Sequence, residues 1–97
     1  MKDYIKSRLF ERDMLIEYVS KTRALEIMQN QIAELEKNID ALDEDIEELE
    51  DSGLDRTVEI LCKTRNSLNL ERLEIEIHIC KLRLWIAEFE KARQLAR

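Results

Sequence analysis

The chain has 97 residues, of which 39% are charged, 44% hydrophobic and only 5% aromatic, with a net charge of −6. One domain is the most that length accommodates, and the balance of residue types is that of long amphipathic helices rather than of a compact α/β domain. A single glycine and no proline leave no glycine-rich loop to cradle a phosphate.

The N-terminus, Met1-Lys2-Asp3-Tyr4, leads into no apolar stretch of the kind a secretory signal needs,. No apolar run approaches bilayer-spanning length. Residues 4–19 are nevertheless dense in apolar side chains: Tyr4, Ile5, Leu9, Phe10, Met14, Leu15, Ile16, Tyr18 and Val19. They do not form one stripe. Tyr4, Met14 and Tyr18 share a face, whereas Ile5, Leu9, Ile16 and Val19 point elsewhere on the cylinder. A helix apolar on more than one face is expected to be covered on more than one face.

From Leu25 the pattern becomes regular. Leu25, Met28, Ile32, Leu35, Ile39, Leu42, Ile46 and Leu49 step alternately by three and four residues, the a/d repeat of a coiled coil. Extended backwards, the repeat puts Tyr18 at a but Lys21 at d and Glu11 at a, so the seam weakens toward the N-terminus.

The repeat stops at Asp51-Ser52-Gly53-Leu54-Asp55. A glycine just past a helix takes the left-handed conformation without a Cβ clash. Gly53 at C′ places Leu49 and Leu54 at the two positions that touch in a Schellman cap, and Asp55 is then expected to cap the next helix with its carboxylate. The spacing predicts a first helix over about residues 4–51, a turn over 52–55 and a second helix over about 56–96.

The second helix has its own a/d repeat: Val58, Leu61, Arg65, Leu68, Arg72, Ile75, Ile79, Leu82, Ile86, Phe89, Arg93 and Ala96. In an antiparallel pair, a of one helix layers with d of the other. Leu49 with Val58, Ile46 with Leu61, Ile39 with Leu68, Ile32 with Ile75, Leu25 with Leu82 and Tyr18 with Phe89 all give residue numbers summing to 107. The two repeats therefore share one register, folded between Gly53 and Leu54, where the turn chemistry also lies. Arg65 faces Leu42 and Arg72 faces Leu35. Their stems are expected to lie along the seam while the guanidinium groups reach acids such as Asp43 or Glu36. Register control is the plainer role for such a pair, and ligand binding the alternative.

A second stripe follows on the outer face of the second helix. Leu70, Leu73, Ile77, Cys80, Leu84 and Ala87 again step by three and four, at b and f positions that a solvated helix would fill with polar residues. With Ile5, Leu9, Ile16 and Val19 they form the candidate interface. Three covers are conceivable: a second copy, a different protein, or the N-terminal segment folded back. The second copy is expected, as two hairpins packed into a four-helix assembly at the end holding the termini, with the turn ends projecting as arms.

Charge divides the chain too. Residues 34–55 hold eleven acids against Lys37, a local charge of −10, so the remainder carries +4. Asp43, Glu44, Asp45, Glu47, Glu48, Glu50 and Asp51 cluster next to the turn. One reading is a solvated face that keeps the arm soluble; the other is an anionic surface that docks a basic partner or mimics nucleic acid.

Catalytic chemistry is not indicated. His78 is the only histidine, and it and Cys80 diverge around the helix, too poorly placed to share a metal. Cys62 and Cys80 lie eighteen residues apart on one helix, about 27 Å, which precludes an intrachain disulfide and fits free thiols in a cytoplasmic or nuclear setting. Trp85 is expected to pack at the seam edge or an oligomer interface. Lys2, Lys6, Arg8 and Arg12 are interleaved with Asp3, Glu11 and Asp13, a weak pattern for direct nucleic-acid binding. The expectation is an all-α, antiparallel two-helix coiled-coil hairpin with no catalytic residues, metal, cofactor, small-molecule substrate or membrane partner. Its expected role is that of a dimeric adaptor or regulator that binds another protein. The alternatives are an acidic inhibitor of a nucleic-acid-binding protein and a structural spacer or scaffold.

Overall fold

In a computed structural model, the chain forms α1 (Lys2–Leu49) and α2 (Asp55–Leu95), folded back against each other as a hairpin. The structure describes the backbone of residues 2–95 and the side chains of residues 11–95. The seam positions Tyr4 and Ala96 and the interface candidates Ile5 and Leu9 therefore have side chains outside the described residues. The hairpin measures 77 × 20 × 14 Å, a rod two helices wide. Helices this long follow from an almost unbroken run of residues without proline or glycine, most of them good helix formers, and from an apolar seam that supplies the stability isolated helices lack.

The seam runs in the 107 register. Tyr18 stacks on Phe89 with ring centroids 4.9 Å apart, and Arg65 of α2 reaches Asp43 of α1 at 3.0 Å. Leu35, Ile39, Ile46 and Ile79 are the buried core. The other a and d positions between Met14 and Phe89 are half-buried, as expected when only one neighbouring helix covers each stripe. Arg93, the next a position, is exposed. α1 extends past the end of α2. Leu95 layers with Arg12 by the register, so residues 2–11 project about 15 Å beyond it. Because α1 is continuous from Lys2, the N-terminal segment does not fold back over α2, which removes one of the three covers considered above.

The turn differs in detail from a Schellman cap. Gly53 does take a left-handed conformation, with φ +78°. α1, however, ends at Leu49, and Ser52 rather than Leu54 closes it. The Ser52 N–H donates to the Leu49 carbonyl at 3.1 Å, and the Ser52 hydroxyl donates to the same oxygen at 2.6 Å. The Leu54 N–H turns instead to the Ser52 hydroxyl oxygen at 3.4 Å. A serine three residues after the last helical carbonyl offers a shorter hydrogen-bonded route than the longer backbone bond, and Ser and Asn side chains compete in this way at helix ends. Leu54 stays exposed. Asp55 does not cap α2: the Leu54 carbonyl accepts the Val58 N–H at 3.1 Å, making Leu54 the N-cap and Asp55 the first helical residue. There its carboxylate is favourably placed near the positive end of the helix dipole,.

Candidate interaction surfaces

The two seam arginines diverge. Arg65 Nη1 donates to Asp43 Oδ1 at 3.0 Å across the helices, as expected. Arg72 does not reach Glu36. Its Nε lies 3.9 Å from Glu76 on its own helix and is buried without a hydrogen-bond partner. Glu76 sits one turn further along α2, at the i,i+4 spacing that places two side chains on the same face. Each arginine has an acid of the hairpin beside it, Asp43 for Arg65 and Glu76 for Arg72.

At the terminal end an aromatic cluster replaces aliphatic packing. Trp85 stacks on Phe89 at 5.4 Å, and Phe89 on Tyr18. The Lys21 ammonium, placed by the heptad on the seam, lies 5.0 Å from the Trp85 ring centre and 3.6 Å from Glu17. A cation over an indole face is attracted by the ring quadrupole, which reconciles a lysine with a d position. The Tyr18 hydroxyl donates to Glu90 Oε1 at 2.7 Å. That hydrogen bond, then desolvation, then the carboxylate charge push the phenol above its ordinary value.

The interface candidates fall into two exposed strips. On α2, Leu70, Leu73, Ile77 and Leu84 are 50 to 63% exposed, and Cys80 and Ala87 are exposed between them. On α1, Ile16 and Val19 are exposed with Leu15, and a shallow open groove runs over Glu11, Arg12, Leu15, Ile16 and Val19. By the register, residues 70–87 lie beside residues 20–37, so the α2 strip is centred near the middle of the hairpin and the α1 strip lies nearer the termini. Both strips occupy b, e or f positions. In an antiparallel pair the e positions of the two helices share a flank, so the strips lean toward the same side of the rod.

The acidic end is equally open. Asp43, Glu44, Asp45, Glu47, Glu48, Glu50 and Asp51 are all exposed, on the last two turns of α1 and the start of the turn. Asp43 is engaged by Arg65, and the remainder face solvent. Among the described residues, no group of three or more His, Cys, Asp or Glu side chains is gathered to hold a metal ion, and no helix is long and apolar enough to cross a membrane. His78 is exposed, and both cysteines are free, Cys62 half-buried and Cys80 exposed.

No protein family, no curated protein and no solved structure matches the chain.

Proposed function

We propose that the protein is a non-enzymatic interaction module: a homodimeric helical hairpin that acts as an adaptor or regulator by binding another protein. The observation that carries this reading is the α2 strip. Four large aliphatic side chains at heptad spacing remain at least half exposed after the intramolecular seam is filled. An apolar strip of that regularity, on a rod with no further layer of its own, is the mark of an interface. A second copy covers it most simply, because one surface then satisfies two chains. The two hairpins form a four-helix assembly, and their acidic ends stay free for a basic partner. The two free thiols suit a reducing compartment such as the cytoplasm.

Sedimentation equilibrium tests the dimer: a mass near twice the 11.6 kDa of the chain is expected, and a monomer at tens of micromolar contradicts it. The docking role of the acidic end is tested by isolating partners by crosslinking, then repeating the capture with Asp43→Asn, Glu44→Gln, Glu47→Gln and Glu48→Gln combined. Loss of capture with the dimer intact is expected.

A second reading, charge mimicry against a nucleic-acid-binding protein, draws on the acids between residues 34 and 55, every one of which is exposed. It requires captured partners to be released by competing DNA or RNA.

A further inference from the structure

The α2 strip is self-complementary in one orientation. Suppose two α2 helices lie antiparallel across a two-fold axis between His78 and Ile79. Leu70 then faces Ala87, Leu73 faces Leu84, and Ile77 faces Cys80 of the second copy, each layer occurring twice. Large side chains meet small ones in two of the three layers, which fills space without crowding. The charged residues beside the strip fit as well. On one flank Glu76 comes opposite Arg83 of the second copy, and on the other Glu74 comes opposite Lys81. Each pair is offset by two residues, about 3 Å along the axis, and each is repeated by the symmetry. These are the flanking positions that choose partners in coiled coils. Among the described residues, Glu74, Lys81 and Arg83 make no ion pair within the hairpin; Glu76 has only the long contact to Arg72.

A parallel pairing also offers opposite charges at its flanks, Glu76 with Lys81 and Arg83 with Glu88. It fails on two other counts. It sets Leu70 against Leu70 and Ala87 against Ala87, crowding one end of the strip and hollowing the other. It also lays two segments of charge −10, residues 34–55, alongside each other. The antiparallel arrangement sends those segments to opposite ends, each toward the end where the second copy carries its surplus positive charge.

We propose, resting on the dimer reading above, that α2 pairs with α2 of a second copy, antiparallel about the His78–Ile79 midpoint, through Leu70, Leu73, Ile77, Cys80, Leu84 and Ala87, with Glu76–Arg83 and Glu74–Lys81 as the ion pairs that set direction. The turn lies about 25 residues from the axis, so the two acidic ends point in opposite directions about 75 Å apart. The dimer thus presents two separate docking ends rather than one doubled arm.

A reciprocal charge swap tests the pairing. Arg83→Glu places two glutamates opposite each other twice per dimer and weakens association by roughly tenfold in sedimentation equilibrium. Adding Glu76→Arg restores it in the antiparallel arrangement. In a parallel pair the double variant sets an arginine at position 76 against Lys81 and a glutamate at position 83 against Glu88, and weakens association further. Cysteines give a second measure in a Cys80→Ser background. Leu73→Cys combined with Leu84→Cys forms an interchain disulfide under mild oxidation, and Leu73→Cys alone does not. A dimer that the double swap fails to restore, or that crosslinks through the lone Leu73→Cys, overturns the antiparallel pairing while leaving the dimer standing. A wild-type chain that sediments as a monomer overturns both.

Discussion

The two halves of the hairpin use their apolar residues in opposite ways. Toward the turn, Leu35, Ile39 and Ile46 are buried on a single seam, with Ile79 buried near the middle of the rod, and the outer face of α1 is acidic and exposed. Toward the termini the sequence is richer in apolar residues, yet no described side chain before Leu35 of α1 is buried. Tyr18, Leu25, Phe89 and Trp85 are only half-covered there, and Ile16, Val19 and Leu84 face outward, with the rest of the α2 strip running on past the middle of the rod. One seam saturates the turn half. It leaves the terminal half unfinished, because a helix apolar on two faces needs two neighbours and the chain supplies one. On this reading the turn half is held by the fold of the single chain and the terminal half by association.

Damage to the turn half should be the most severe. Ile46→Ala removes the most buried side chain, 4% exposed, and lowers stability by about 2–4 kcal/mol through lost burial and the cavity left behind. The same truncation at Ile16, 58% exposed, costs the isolated hairpin less than about 0.5 kcal/mol. Urea unfolding at several protein concentrations makes the comparison and separates the contribution of association.

Next comes the pivot. Gly53→Ala meets no steric obstacle, since nothing lies within 4 Å of an added Cβ, but its φ of +78° costs an L-residue about 1–2 kcal/mol. The helix content should be kept and the unfolding midpoint lowered.

Arg72→Leu runs the other way. It removes a buried, unpartnered Nε from a leucine-facing layer and is expected to stabilise the hairpin by about 1 kcal/mol. Arg65→Leu also loses the Asp43 pair and gains less. If both gain equally in thermal unfolding, the 3.0 Å contact contributes nothing.

Weakest of all is the pH response of the terminal cluster. The phenol of Tyr18 is raised above its value of 10.0 by its hydrogen bond to Glu90, so the neutral form is the one the folded state favours. That stabilisation is fully present below pH 10 and is lost as the pH rises through the elevated value. Tyr18→Phe should flatten this alkaline loss in a series of melting curves without altering the neutral-pH fold.

Much of the fold was legible because a strict repeat carries its own register. The 107 sum placed Tyr18 on Phe89 and Arg65 within reach of Asp43 from spacing alone. The turn was legible as a turn and as a left-handed Gly53, but not in its bonding, since Ser52 offers a local alternative that a backbone template does not contain. Glu36 and Glu76 are both acids that the spacing offers Arg72, but only Glu76, on the same helix, lies near it, and spacing alone does not rank a cross-helix acid against one on the same helix. The candidate surfaces were legible as faces, because heptad period assigns a side of the cylinder. Their occupants were not, because an interface is complementary to a second surface and one chain displays only half of it.

Completion of the terminal half by a second copy is the point on which the contrast between the two halves stands. Sedimentation equilibrium of the unmodified chain beside Ile77→Glu decides it. A mass of twice 11.6 kDa is expected for the unmodified chain and of one chain for Ile77→Glu, with helix content unchanged in both. An unmodified chain that remains monomeric at tens of micromolar, or an Ile77→Glu variant that remains a dimer, contradicts it.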